Sequence, residues 1–177
     1  MGATPDRAAA DDTDLTPSHR MRAGAFPGCS RKEIMPQAEQ AHILVIDDDD
    51  VFCHLVRIQL TRAGYRVETA EDVIEGGKAL LARPPDLVIC DIGMPYMDGL
   101  ELKALLKAET STAAIPVIIA TVRNDIATMV KAMDLGVADY LTKPVAPERL
   151  LDAVQAVLDA REKQRRETNR GTPPQAT

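Results

Sequence analysis

"ILVIDDDD", residues Ile43 to Asp50, decides how this chain is read: four apolar residues with no polar alternation run straight into four aspartates. A continuous, β-branched apolar run of this length suits a strand covered on both faces, the habit of parallel sheets in α/β proteins. The strand end would then open onto a rim and deliver Asp47 and Asp48 there. Asp50 stands where the N-cap of the next helix belongs, and Asp49 beside it complements the positive end of that helix.

From His42 onward the chain alternates short apolar runs with segments of helical period. Strands are predicted over 42–46, 66–69, 86–90, 116–120 and 139–142, and helices over about 51–63, 72–82, 98–108, 124–134 and 147–162. Gly64, "ARPPD" at 82–86, Pro116, Gly136, Pro144 and Pro147 punctuate them. Strict βα alternation with short loops implies a parallel sheet with right-handed crossovers and helices on both faces, a single doubly wound α/β domain.

In such sheets ligands lie beyond the carboxyl ends of the strands. The first strand delivers Asp47 and Asp48, the third Asp91, the fourth Thr121 and the fifth Lys143. Three neighbouring carboxylates repel one another unless a hard cation neutralises them, and Mg2+ suits oxygen ligands and commonly links carboxylates to a phosphoryl group. Lys143 then serves as a point charge on phosphoryl oxygens, and Thr121 as a hydrogen-bond donor to them. The set fits phosphoryl transfer.

The segments "ILVIDDDD", "DLVICDIGMPYMDGLEL", "IPVIIATV" and "DYLTKPV" make residues 42–160 resemble the receiver domain of two-component response regulators, the CheY-like superfamily. The resemblance implies a flavodoxin-like (βα)5 domain with strand order 2-1-3-4-5. It further implies that Asp91 accepts a phosphoryl group from a phosphohistidine on a histidine kinase or phosphotransfer protein. By the same resemblance Asp48, Asp91 and the Gly93 carbonyl ligate Mg2+, with Asp47 acting through water. Thr121 and Lys143 contact the phosphoryl group, Tyr140 is the aromatic switch, and Lys143-Pro144 is a cis peptide. Such a domain catalyses only its own phosphorylation and dephosphorylation. Val122 and Gly93 depart from the commonest family pattern and bear on phosphoryl lifetime.

Along the first predicted helix, Phe52, Val56, Leu60 and Ala63 form a core face at 100° per residue. Val51, Leu55 and Ile58 form a second apolar stripe, with Ile58 expected farthest from the core. In the resembling family this edge receives the kinase or phosphotransfer helices. Met94, Met97, Met129 and Met133 are expected in the core, and His42 and His54 are expected to be incidental.

The 177 residues, 45% hydrophobic and 27% charged, allow one ordinary domain with a real core. Residues 1–40 read as a disordered extension, 41–162 as the receiver domain and 163–177 as a flexible tail too short for a helix-turn-helix module. The net charge of −6 gives no general attraction to nucleic acid or an anionic membrane. Acidic residues near the N-terminus argue against an export signal, and no apolar run approaches the ~20 residues of a membrane span. Cys29, Cys53 and Cys90, odd in number and without a CxxC pair, favour reduced thiols in a cytoplasmic protein.

The leading expectation is a stand-alone receiver acting on a downstream protein target, with room for a homodimer. Two rivals stand beside it. A metal-dependent phosphohydrolase of the haloacid dehalogenase type wants a second acid two residues after its nucleophile, where Gly93 stands. A flavodoxin-like nucleotide carrier wants a glycine- or hydroxyl-rich loop after the first strand.

Overall fold

The computed structural model describes residues 40–94 and 97–170. The expectation of a disordered extension, together with Cys29, lies outside these residues, as does the end of the chain after 170. The strands are β1 (His42–Ile46), β2 (Arg66–Ala70), β3 (Leu87–Cys90), β4 (Val117–Thr121) and β5 (Asp139–Thr142). They alternate with helices α1 (Asp50–Arg62), α2 (Val73–Ala82), α3 (Gly99–Ala108), α4 (Ile126–Leu135) and α5 (Pro147–Arg170). All pairings are parallel and the strand order is β2-β1-β3-β4-β5.

Burial follows the run of apolar residues that marked each strand. β1, β3 and β4 are buried along their whole length, because helices cover both faces. Successive side chains point to opposite faces. Leu44, Ile46, Val88, Cys90 and Ile119 join one cluster with Leu80, Leu102, Leu106 and Ala132 of α2, α3 and α4. Ile43, Val45, Leu87, Ile89 and Ile118 join the other, with Val56 and Leu60 of α1 and Leu150, Ala153 and Val154 of α5. Each buried Val, Leu or Ile among them contributes about 1.5–3 kcal/mol by leaving water. The edge strand β2 instead alternates exposed and half-buried positions up to Ala70, which is buried.

Several expectations need correction. The N-cap of α1 is Asp49, whose Oδ1 accepts from the Val51 and Phe52 N–H groups at 3.0 and 3.1 Å, while Asp50 is the first helical residue. The core face of α1 is Cys53, Val56 and Leu60; Phe52 is only half-buried and Ala63, at the C-cap, is exposed. Ile58 is half-buried and not the outermost residue, since Val51 and Leu55 are 68% and 51% exposed. Met94 is buried and Met97 packs on the core, but Met129 and Met133 lie on the outer side of α4. His42 is buried, with Nε2 3.2 Å from Glu68 Oε2.

α5 runs on to Arg170, past its expected end at 162, so residues 163–170 are helical rather than a tail. No apolar period continues there, but Glu, Lys, Gln and Arg are good helix formers and Arg166 pairs with Glu162 one turn away.

Gly99 opens α3 directly beneath the end of β3. A Cβ there would clash with the Asp91 carbonyl oxygen and lie 3.0 Å from Cys90 Sγ. Gly99→Ala is therefore expected to cost roughly 1–3 kcal/mol by overpacking. Urea unfolding followed by circular dichroism would measure it, and an unchanged midpoint would show that α3 can shift freely.

Candidate functional site

The register of the central strands assembles the site. Ile46 of β1 pairs with Cys90 of β3, so the next residues, Asp47 and Asp91, leave neighbouring strands side by side. The backbone continues the pairing: the Asp91 N–H donates to the Ile46 carbonyl at 3.1 Å and the Asp47 N–H to the Ala70 carbonyl at 3.0 Å. On the other side Thr121 pairs with Thr142, and the Lys143 N–H donates to the Thr121 carbonyl at 2.8 Å. Thr121 and Lys143 therefore stand on the same rim as the carboxylates.

Asp47, Asp48 and Asp91 each offer an oxygen within 4.8 Å of the others. At that separation two full charges repel by roughly 3 kcal/mol at an effective dielectric constant of about 20. Asp48 is exposed, while Asp47 and Asp91 are only 1% and 6% exposed. Lys143 relieves part of the load. Its ammonium hydrogen-bonds Asp47 Oδ1 at 2.8 Å and lies 2.6 Å from Oδ2, with its side chain 10% exposed. The Asp49 N–H also donates to Asp47 Oδ1, at 3.1 Å. Burial nevertheless raises the Asp47 carboxyl above its usual value, the Lys143 and Asp49 hydrogen bonds offsetting only part of that push.

Asp91 is held at one oxygen and open at the other. Oδ2 accepts the Gly93 N–H at 2.9 Å, whereas Oδ1 is buried with no hydrogen-bond partner among the described residues. Asp47 Oδ2 likewise has a charge contact but no hydrogen bond of its own. A buried carboxylate oxygen without a partner is costly, and Asp91 Oδ1, with the Asp47 and Asp48 carboxylates alongside, belongs to a set that a hard divalent cation would satisfy. Three carboxylates against one ammonium leave a surplus of two negative charges, which such an ion balances.

Thr121 and Tyr140 meet at Arg123, a residue that no motif or apolar period singles out. Thr121 Oγ1 accepts the Arg123 N–H at 3.3 Å, and the Tyr140 hydroxyl donates to the Arg123 carbonyl at 2.6 Å. Tyr140 is buried, its ring packed in the cluster beneath α4. The Lys143-Pro144 peptide is cis, as the resemblance implied. Phe52, expected only to fill the core, places its ring face 4.2 Å from Lys143 Nζ. Cys53 and Cys90 are buried next to the cluster and donate to the Asp47 and Asp91 carbonyls at 3.5 and 3.3 Å. Burial pushes the Cys53 thiol up to about 12 and Cys90 up as well, so neither is a nucleophile at neutral pH.

The chain matches the family described as response regulator receiver domain over residues 43–155. It is 40% identical over 116 residues to the DNA-binding dual master transcriptional regulator RpaA of Synechocystis, covering 66% of this chain and 48% of that protein. To the phosphate regulon transcriptional regulatory protein PhoB of Pseudomonas aeruginosa it is 32% identical, covering 66% of this chain and 51% of that one. The chain thus spans about half the length of these curated relatives. Among solved structures, the chemotaxis protein CheY4 of Vibrio cholerae superposes with TM-score 0.63 at 30% identity, over 67% of this chain and 98% of its own.

The ion pair at Asp47 gives a testable stability signature. Lys143→Met leaves a buried carboxylate unpaired, which should cost about 3 kcal/mol at neutral pH without divalent cations. A carboxyl whose pKa is raised by folding supports the folded state fully below its unfolded value, 3.8, and loses that support as pH rises through the raised value. The deficit of the variant relative to wild type should therefore close as pH falls towards 3.8 and be widest near neutrality. Urea midpoints across that range would check it; a deficit independent of pH would mean that lost packing, not charge, is the cause.

Proposed function

The chain belongs to the response regulator receiver domain family, and we propose that Asp91 is its phosphoacceptor, taking a phosphoryl group from a phosphohistidine of a histidine kinase or phosphotransfer protein. The observation that carries this reading is the Asp91 carboxylate, buried at the end of a central strand with Oδ1 unpartnered among the described residues and two further carboxylates alongside. Asp48, Asp91 and the Gly93 carbonyl would hold a Mg2+, with Asp47 reaching it through water, and the bound ion supplies positive charge to the phosphoryl oxygens. Asp91 attacks phosphorus as the bond to the imidazole nitrogen breaks, leaving an acyl phosphate on the protein. Lys143, already inside the cluster, is the ammonium that moves from Asp47 towards the new oxygens.

The switch follows from the Arg123 contacts. A Thr121 hydroxyl drawn to the phosphoryl group releases the Arg123 N–H, and the same residue's carbonyl is what Tyr140 holds. The reading therefore has Tyr140 reorient with the β4–α4 connection and alter a surface for a downstream protein. The phosphohydrolase reading is not favoured, since Gly93 has no side chain to act as the second acid, and the carrier reading meets aspartates where a phosphate loop belongs.

The family consists of signalling proteins, and among the described residues no helix is long and apolar enough to cross a membrane. A cytoplasmic place is supported by the free, buried thiols of Cys53 and Cys90. Action without nucleic acid rests only on the acidic net charge of this chain. RpaA is itself DNA-binding and about twice as long as the segment matched here.

For the kinase-facing surface, Val51 and Leu55 form an exposed apolar edge on α1 beside Asp48, with Ile58 half-buried behind them. Leu55 is thus the more telling position. Leu55→Glu should change stability by under about 0.5 kcal/mol and leave the reaction with acetyl phosphate intact. Transfer from the cognate phosphohistidine should drop about tenfold, equivalent to roughly 1.4 kcal/mol. Equal slowing with both donors would assign the edge to the fold instead.

The phosphoacceptor itself is tested by Asp91→Asn, which should fold normally and take no label from acetyl phosphate with Mg2+. Wild type should gain roughly one negative charge, because an acyl phosphate of about −1.5 to −2 replaces a carboxylate of −1; the shift should be visible on a native gel, and the reaction should be lost in EDTA. Stable label on the variant would move the acceptor elsewhere.

A further inference from the structure

Lys143 is held from two sides. Asp47 grips the ammonium with contacts of 2.8 and 2.6 Å, and the face of the Phe52 ring lies 4.2 Å from Nζ. The Phe52 N–H donates to the Asp49 cap at 3.1 Å, and the half-buried side chain packs against the core cluster to which α1 and α5 contribute.

A divalent cation affects these two anchors differently. Drawn to Asp47, Asp48 and Asp91, it shares the Asp47 charge and repels the ammonium, so the ion pair weakens when the site fills. An aromatic face has no charge to share and is no ligand for a hard, oxygen-seeking cation, yet its quadrupole still attracts an ammonium. We infer that Phe52 is a positioning residue that keeps the Lys143 ammonium at the mouth of the carboxylate cluster when the cation is bound, ready for the phosphoryl oxygens. This rests on the phosphoacceptor reading of Asp91.

Opposite effects on two measurable quantities follow. Without the ring, Lys143 yields Asp47 more readily and Mg2+ binds more tightly. The incoming phosphoryl group then meets one positive charge fewer, and transfer slows.

Phe52→Leu and Phe52→Met keep an apolar side chain at this half-buried position, and Phe52→Tyr keeps the ring. Mg2+ titration of the unphosphorylated full chain, followed at the Gly93 amide resonance, is paired with label uptake from acetyl phosphate at saturating Mg2+ and with the thermal midpoint. In both aliphatic variants Mg2+ should bind roughly twofold more tightly and uptake should slow roughly threefold, with the midpoint lowered by no more than a few degrees. Phe52→Tyr should match wild type in both. Unchanged values in the aliphatic variants, binding and uptake weakening together, or failure of Phe52→Tyr to restore them would each overturn the inference. A wild type that takes no label would overturn the phosphoacceptor reading, and the inference with it.

Discussion

The parallel pairing of β1 with β3, one register and no other, is the constraint on which the molecule turns. With Ile46 level with Cys90, Asp47 and Asp91 emerge together; a slip of one residue would send every side chain of β1 to the opposite face and carry Asp47 away from Asp91. The same pairing makes this the switch point, because β1 is hydrogen-bonded to β2 on its other edge while the chain beyond β3 proceeds towards β4 and β5. Hydrophobic burial on both faces of β1 and β3 holds the register, so core packing fixes the geometry of a polar site.

What the packing creates is an electrostatic debt. Three carboxylates gather where the backbone must leave them, two of them withdrawn from water, and among the described residues Lys143 is the one cationic side chain hydrogen-bonded into the cluster, beside the backbone N–H groups of Asp49 and Gly93. Burial raises the Asp47 carboxyl above its usual value, and Asp91 Oδ1 has no hydrogen-bond partner among the described residues, the kind of perturbation that clusters at functional sites. Asp49 and Asp50 belong to a different account: they serve the start of α1, and their proximity to the cluster follows from α1 beginning at the rim.

The sequence was most legible where one force dominated. Doubly covered strands left unbroken apolar runs, and Gly136, in the left-handed conformation at the end of α4, marked a helix stop that only glycine takes easily. Asp47, Asp48, Asp91, Thr121 and Lys143 could be gathered because strand ends share one rim. Features set by side-chain direction or by long-range register were not legible. Asp49 and Asp50 exchange roles because a cap is chosen by backbone conformation at one residue. Met129 and Met133 follow a helical period as a core stripe would, yet face outward. The approach of Phe52 to Lys143 joins the first turn of α1 to the end of β5, a distance of most of the domain in sequence. The far end of α5 has no apolar period to announce it, only helix-forming polar residues.

That long helix has a mechanical consequence. α5 spans 24 residues, about 36 Å at 1.5 Å per residue, and is pinned part-way along where Arg161 meets Asp86 Oδ1 at 3.0 Å. The other oxygen of Asp86 receives the His42 N–H at 2.9 Å, so the pin is driven into the first residue of β1. Arg161 is thus a fulcrum seated on the sheet, and residues 162–170 form an arm of about 13 Å beyond it. A tilt of about 10° at the fulcrum would carry the tip through about 2 Å, so a rearrangement too small to disturb the core would be amplified at the end of the arm.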